Sequence, residues 1–317
     1  MFNLENTTFI IPLFIESKDR YNNAKTVLEY LNKHFKTSLI IHEFINDISK
    51  LDFLDKLTNL NIQHMTEVIT EHGVYHRTRQ LNEMLNLVKT PVVCNYDIDV
   101  ILPVESYILS QYLLSNSIFD VVYPYGYGKY QYQVDRGFDR KKFNKDFNIK
   151  SIENNFLNKE ISRYGHCIFF RTDKYKSIGG ENEEFISYGP EDSERYERCV
   201  RFNLNLHRIE DFVYHLEHSR TEFSNSRHRY YNSNSMLYER IKNMKNDDFT
   251  EYYSSLDYIK KYQFSIQQTT IVFNFPNPVN ITRQNVYSLR TIVKSCLCGE
   301  PKDTIRYNFC QKCNRLY

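Results

Sequence analysis

The chain has 317 residues, 41% of them hydrophobic and 25% charged, and a net charge of +2. That is ordinary globular composition, with length for a sizeable core in one large or two smaller domains. The near-neutral balance leaves no strong electrostatic case for a nucleic-acid or anionic-membrane partner, and the use of seven cysteines argues against a disulfide framework.

The opening stretch MFNLENTTFIIPLFIESKDR has no basic start, and its apolar run is broken by Pro12, so it does not read as a signal peptide. No run is long enough to span a bilayer, and a cytoplasmic protein is expected. Residues 9–14 predict a first strand, followed by a loop through Arg20. Ala24, Val27, Leu28 and Leu31 then recur at amphipathic-helix spacing. Ser17 or Asp19 suits a cap on that helix. Arg20 faces two readings, an ordinary surface charge or a contact to a nucleotide.

A second strand is expected at 38–41, a helix at 45–60 and a short strand at 62–69. Leu81, Met84, Leu85 and Val88 mark a further helix, opened by Arg77 and Arg79 and stopped by Pro91. A forked guanidinium at such a helix start suits a diphosphate; a solvated ion pair is the plainer alternative. Strands alternating with helices imply a mostly parallel sheet covered on both faces.

Residues 91–103, PVVCNYDIDVILP, hold the most informative stretch. Val92–Cys94 reads as a buried strand, and the carboxyl ends of such strands line the ligand crevice of open α/β sheets. On extended chain, Asp97 and Asp99 point the same way. Two convergent carboxylates repel unless a hard divalent cation sits by them. The bland alternative is a loop cap.

Residues 119–125 give another strand, followed by GYGKY. Residues 129–160 are charged, Asn-rich and weakly patterned, and are read as a loop or insertion around an acceptor. Cys167–Phe170 predicts a strand, and Gly179-Gly180 a turn. Tyr188-Gly189-Pro190 then presents Glu191 and Asp192 at the start of a helix whose buried face is expected to carry Tyr196, Cys199 and Val200. Acids in a first turn are normal helix-start chemistry. Adjacent carboxyls can also divide two tasks, one binding an acceptor hydroxyl and the other removing its proton. Strand 212–216 precedes Glu217-His218-Ser219-Arg220, so His215 or His218 is a candidate to complete a metal's shell.

Three segments together resemble a known family: HRTRQLNEMLNLVKTPVVCNYDIDVILP, GGENEEFISYGPEDSE and HLEHSR. In order and spacing they are similar to metal-dependent GT-A glycosyltransferases. The nearest likeness is to the group that joins family-2 transferases with a galactosyltransferase-type carboxyl region, as in β-1,4-galactosyltransferases and chondroitin polymerase. The resemblance spans roughly residues 8–225. It implies a Rossmann-like mixed sheet flanked by helices and inverting transfer from a nucleotide-sugar, such as a UDP-hexose or UDP-N-acetylhexosamine, to a glycan, glycoprotein or glycolipid. By the same resemblance Asp99 and His218 (or His215) hold the metal, Mn2+ rather than Mg2+, with Asp97 assisting. Arg20 and Arg77 contact the nucleotide, Glu191 holds the acceptor and Asp192 is the general base. Tyr188 and Pro190 depart from the Trp and Gly usual in that turn.

Residues 226–265 are expected to form a helical extension, with Met236, Leu237, Ile241 and Met244 on an apolar stripe. Residues 266–293 follow as strand and linker. Cys296, Cys298, Cys310 and Cys313 then form CxC and CxxC pairs within 294–317, a spacing suited to a closed structural Zn2+ ribbon. A rival to the transferase is a non-catalytic sugar- or nucleotide-binding adaptor acting through that ribbon.

Overall fold

The computed structural model describes residues 1–45, 51–68, 74–158, 162–221 and 226–266, with the backbone of three short strands near the carboxyl terminus. Contacts divide the chain into two compact units that meet at residues 271 and 272. In the second, β12 (Ile305–Arg306), β13 (Phe309–Cys310) and β14 (Arg315–Leu316) form an antiparallel sheet. The side chains of Cys296, Cys298, Cys310 and Cys313 lie outside the described residues, as do the strand expected at 269–275 and the linker after it.

The first unit opens with β1 (Phe2–Phe14), α1 (Lys18–His34), β2 (Phe35–Ile45), β3 (Leu60–Val68), α2 (Arg77–Leu87), β4 (Val92–Tyr96) and β5 (Val100–Ile101). It continues with α3 (Val104–Ser115), β6 (Val121–Tyr123), β7 (Gln131–Val134), α4 (Arg140–Asp146), β8 (Phe156–Asn158), β9 (Cys167–Arg171) and α5 (Thr172–Ser177). Then come α6 (Glu191–Arg201), β10 (Leu206–Arg208), β11 (Val213–Leu216), α7 (Tyr231–Lys242), α8 (Asn246–Ser255) and α9 (Asp257–Lys261). A seven-stranded sheet runs β10-β6-β9-β4-β1-β2-β3, flanked by helices, and a smaller one runs β5-β11-β7-β8. The large sheet is mixed. Its β1/β4, β2/β3 and β10/β6 pairs are parallel, whereas β9 runs antiparallel to both β4 and β6. No described helix is long and apolar enough to cross a membrane.

Aromatic packing fixes the centre of the large sheet. Phe9 meets Tyr96 and Phe169 edge to face at 5.5 and 5.8 Å, and the Tyr96 and Tyr107 hydroxyls bond at 2.7 Å. Such pairs add to area burial when the rings meet edge to face, and the shared hydroxyl bond satisfies two polar groups in an otherwise apolar layer. Cys94, Cys167 and Cys199 are buried free thiols.

Four expectations are corrected. The helix expected at 45–60 is absent from the described part of that range. There β2 runs on to Ile45 and only Leu54–Lys56 makes a 3-10 turn. Its apolar residues act as anchors, with Phe53 packing edge to face on Tyr21 at 6.0 Å, so no helical face is needed. The weakly patterned 129–160 segment is structured by two strands, a helix and a 3-10 stretch. Single aromatic plugs hold it, Phe138 and Phe147 each on Phe143, which leaves no periodicity to read. The apolar stripe expected over Met236, Leu237, Ile241 and Met244 fails at Met236, which is 74% exposed; Ile241 is buried, and Asn234 is buried on the same helix.

The fourth correction concerns α6. Val200 is exposed, and the inward face carries Glu194, Arg195 and Arg198 instead. Arg198 Nε lies 3.1 Å from Glu194, Arg198 Nη1 donates to Ile178 O at 3.1 Å, and Tyr253 from α8 donates to Glu194. A buried ion loses several kcal/mol of hydration, which the facing Glu194 charge and the bond to Ile178 offset. Arg198→Ala is therefore expected to lower unfolding free energy by about 3–5 kcal/mol, since it strands the Glu194 charge. Adding Glu194→Gln should restore part of that loss; urea melts of the two variants check both.

Candidate active site

The carboxyl end of β4 carries the aspartate pair into a turn and not, as expected, along an extended strand. Val100 N donates to Asp97 O at 3.3 Å, so the two side chains part and take different partners. Asp97 accepts from Arg77 Nη2 at 2.7 Å. Asp99 Oδ2 lies 3.1 Å from His218 Nε2 and 3.8 Å from His215 Nε2. The second sheet brings this about. β11 pairs antiparallel with β5, setting His215 opposite Val100, and Leu216 N donates to Asp99 O at 2.7 Å.

Asp99, His215 and His218 offer ligand atoms that all lie within 4.8 Å of one another, a group able to hold a divalent metal. Sequence alone left the two histidines as alternatives; the fold brings both to Asp99. Asp97 stands outside this group because Arg77 occupies its carboxylate. His218 Nδ1 bonds Ser219 O at 2.8 Å. A carbonyl only accepts, so Nδ1 carries a proton, which leaves Nε2 as the ring nitrogen that faces Asp99. Burial pushes His215 below the ordinary histidine range despite the nearby Asp99 charge, which keeps it neutral, as a ligand must be. Burial would raise Asp99, but His215 and His218 outweigh it and hold the carboxyl well below its usual range.

The first loop has a further job. Ser17 caps α1, and Asp19 Oδ2 accepts from Ser219 N and Oγ at 2.6 and 2.8 Å. Asp19 therefore holds the His218 loop in place from the other side of the crevice. Arg20, beside Glu16 at 3.5 Å, lines the same cavity. Arg79 does not; it forks onto both Glu67 oxygens at 2.7 Å, the plain ion-pair outcome.

Glu191 and Asp192 open α6 after Pro190, and the fold drives their acidities apart. Burial and then the Asp192 charge push Glu191 up to about 8. Burial would raise Asp192 too, but Arg195 and then Arg77 hold it below the usual carboxylate range. Arg195 Nη2 donates to Asp192 Oδ1 at 2.6 Å and Arg195 Nη1 to Glu181 at 2.7 Å. Arg77 reaches from Asp97 to within 3.9 Å of Asp192. Two asparagines clamp the adjoining turns. Asn82 bonds Glu181 N and O at 2.7 and 2.9 Å, around a left-handed Gly180 whose Cβ would collide with Asn82. Asn234 of α7 donates to Ile186 O and Tyr188 O at 2.8 and 3.0 Å. At Gly165 a Cβ would lie 2.7 Å from Asp192 Oδ2, so that loop packs directly on the carboxylate.

Arg20, Arg77, Asp97, Asp99, Glu191, Asp192, His215 and His218 all line one cavity of about 290 Å3. Asn82, Glu181, Arg195 and Asn234, which position them, were not singled out: Asn82 and Glu181 lie inside the quoted segments without a role read for them, and Arg195 and Asn234 lie outside those segments. His166 and Ser187 also line the cavity and were likewise unmarked.

Glu191 gives a stability test. In the unfolded chain it ionises near 4.5, and in the fold near 8. Between those values the unfolded state has released its proton while the folded state keeps it, so this group's contribution is full below pH 4.5 and is lost as pH rises through 8. In EDTA, Glu191→Gln should remove a decline of about 1 kcal/mol per pH unit across that window. The variant then gains on the parent at pH 8 and not at pH 4.5; parallel melts at the two pH values decide it.

Residues 149–219 match the family described as the N-terminal domain of galactosyltransferase. No curated protein sequence matches the chain. Among solved structures, the catalytic domain of Drosophila β-1,4-galactosyltransferase 7 in complex with xylobiose aligns at 12% identity and TM-score 0.38, covering 72% of this chain and 74% of that one. A mannosyltransferase from Pyrobaculum calidifontis in complex with GDP-Man and Mn2+ aligns at 14% identity and TM-score 0.42, covering 67% of this chain and 56% of that one. The family match runs from the 3-10 stretch at Ile149 through β9, α6 and β11 to Ser219, and so contains Glu191, Asp192, His215 and His218. With the mixed sheet and the cavity it helps to build, this match supports a galactosyltransferase-like fold and a glycosyltransferase activity for the chain.

Proposed function

We propose that the enzyme is an inverting, metal-dependent transferase that moves a sugar from a UDP-hexose or UDP-N-acetylhexosamine to a hydroxyl of a glycan, glycoprotein or glycolipid. The observation that carries this is the split pair Glu191 and Asp192, set in the same cavity as Arg77 and the Asp99, His215 and His218 group. Adjacent carboxyls whose acidities are driven apart mark an acid and base assignment. Ionised Asp192 takes the proton of the attacking hydroxyl, and Arg195 fixes its orientation. Glu191, protonated at neutral pH, keeps an O–H to donate to an acceptor oxygen, and its Oε2 is buried with no hydrogen-bond partner among the described residues. Arg77 balances the negative charge that a diphosphate brings between Asp97 and Asp192, and Arg20 lies on the same wall.

A donor set of one carboxylate and two imidazoles fits Mn2+ better than Mg2+, which prefers oxygen and water. When bound, the cation supplies charge neutralisation for the departing nucleoside diphosphate. Asp99→Ala should weaken Mn2+ binding at least tenfold by calorimetry and remove Mn2+-dependent release of UDP from the donor. Asp192→Asn should lower turnover at least a hundredfold while UDP and Mn2+ still bind. Parental turnover in Asp192→Asn would overturn its assignment as base.

On spacing alone, Cys296, Cys298, Cys310 and Cys313 are proposed to hold one structural Zn2+ in the second unit. Elemental analysis should find one zinc per chain, and the double change Cys310→Ser, Cys313→Ser should remove it.

A further inference from the structure

Two side chains at the cavity each carry a polar atom with no hydrogen-bond partner among the described residues. His166 is 8% exposed and Ser187 is 3% exposed. Neither His166 Nε2 nor Ser187 Oγ meets a hydrogen-bond partner among the described residues. Both line the cavity. Both also hold φ in the left-handed region, 66° and 60°, where a side chain crowds its own backbone and glycine does not. An unpaired buried polar atom is a cost, and so is this backbone geometry in a residue other than glycine. Glycine at either position would avoid both costs. Yet the two costs coincide twice, on separate loops, at one cavity.

The positions of the two loops say what they face. His166 O accepts from Asp97 N at 2.8 Å, its ring lies 5.6 Å from that of His215, and its neighbour Gly165 packs on Asp192. It therefore stands between the nucleotide and metal side of the cavity and the carboxylate that takes the proton. Ser187 sits in the turn clamped by Asn234, just ahead of Glu191 and Asp192. The transferred sugar must occupy that interval in any direct displacement. An imidazole and a hydroxyl each offer donor and acceptor capacity without a fixed charge, which suits sugar hydroxyls and not a phosphate.

We infer that His166 and Ser187 hydrogen-bond the hydroxyls of the transferred sugar and so determine which donor the enzyme accepts. This rests on the sugar-transfer reading above. A site built to pair a hydroxyl rejects an analogue that lacks it, because its own polar groups are then left unpaired.

The test compares the full chain with its His166→Gly, Ser187→Gly and His166→Asn variants. Three quantities are measured: thermal midpoint, UDP affinity in Mn2+ by calorimetry, and kcat/KM across a panel of UDP-hexoses and UDP-N-acetylhexosamines. Both glycine variants should melt at or above the parent and bind UDP within twofold of it. They should lose at least tenfold in kcat/KM on the best donor and rank the donors differently. His166→Asn, which tolerates the left-handed backbone and keeps a hydrogen-bonding side chain, should retain more activity than His166→Gly. If no acceptor supports turnover, the ratio of UDP-sugar to UDP affinity replaces kcat/KM under the same criterion. Parental kcat/KM and ranking in the glycine variants overturn the inference alone. So does an equal loss in UDP affinity and kcat/KM, which would put the two residues on the nucleotide. A parent that binds no UDP and uses no donor overturns the transferase reading and this inference with it.

Discussion

The site depends on one buried cation. Arg195 is 2% exposed and bridges Glu181 to Asp192. Glu181 in turn accepts from Asn95 of the central strand β4 and from Tyr175. The chain of contacts therefore runs from the floor of the sheet, through a carboxylate and a guanidinium, to the carboxylate proposed as base. Arg195 also donates to Tyr164 O at 3.1 Å, so the loop that carries Gly165 and His166 is fixed to the same centre. A guanidinium buried this deeply is tolerated only with its partners in place. Its forked geometry then dictates where Asp192 can sit.

Around that centre, like and unlike charges are interleaved. Arg77 lies between Asp97 and Asp192, and Asp99 is turned away toward His215 and His218. Asp97, Asp99, Glu191 and Asp192 are thereby kept from acting as a single repulsive cluster. Their acidities move both ways: Asp97 is raised, Asp99 and Asp192 are lowered, and Glu191 is pushed up to about 8. The same burial acts on all four, so their neighbours decide the differences. Pre-arranged charge of this kind acts in a poorly solvated cavity where it is worth more than in water.

The uncharged clamps are equally structural. Asn82 and Asn234 each make a donor and an acceptor contact to backbone across a turn. This satisfies peptide groups that the glycine-containing turns leave without secondary-structure partners. The helical segment after residue 226 thus reaches the site through Asn234 and a Tyr188–Tyr231 stack at 5.9 Å. An apolar stripe plays little part in it.

Sequence by itself determined the elements whose signal is local. Apolar periodicity marked α1 and α2, short apolar runs marked β4 and β9, and two acids after Tyr-Gly-Pro marked the start of α6. The motif residues Asp97, Asp99, Glu191, Asp192, His215 and His218 were all legible, and all line one cavity. What sequence could not supply was direction and partnership. The turn at residues 97–99 undid the inference that both aspartates face one point. The choice between His215 and His218 dissolved once β11 paired with β5. The charged inner face of α6 and the aromatic plugs of 138–147 escaped notice because periodicity weighs hydrophobicity and not ion pairing or single anchors. Glu181, Asn234 and His166 gain their roles from neighbours distant in the chain, and Arg195 from joining Glu181 to Asp192. Residue type is written locally, but acidity and orientation are set by burial and by charges that only the tertiary fold brings within reach.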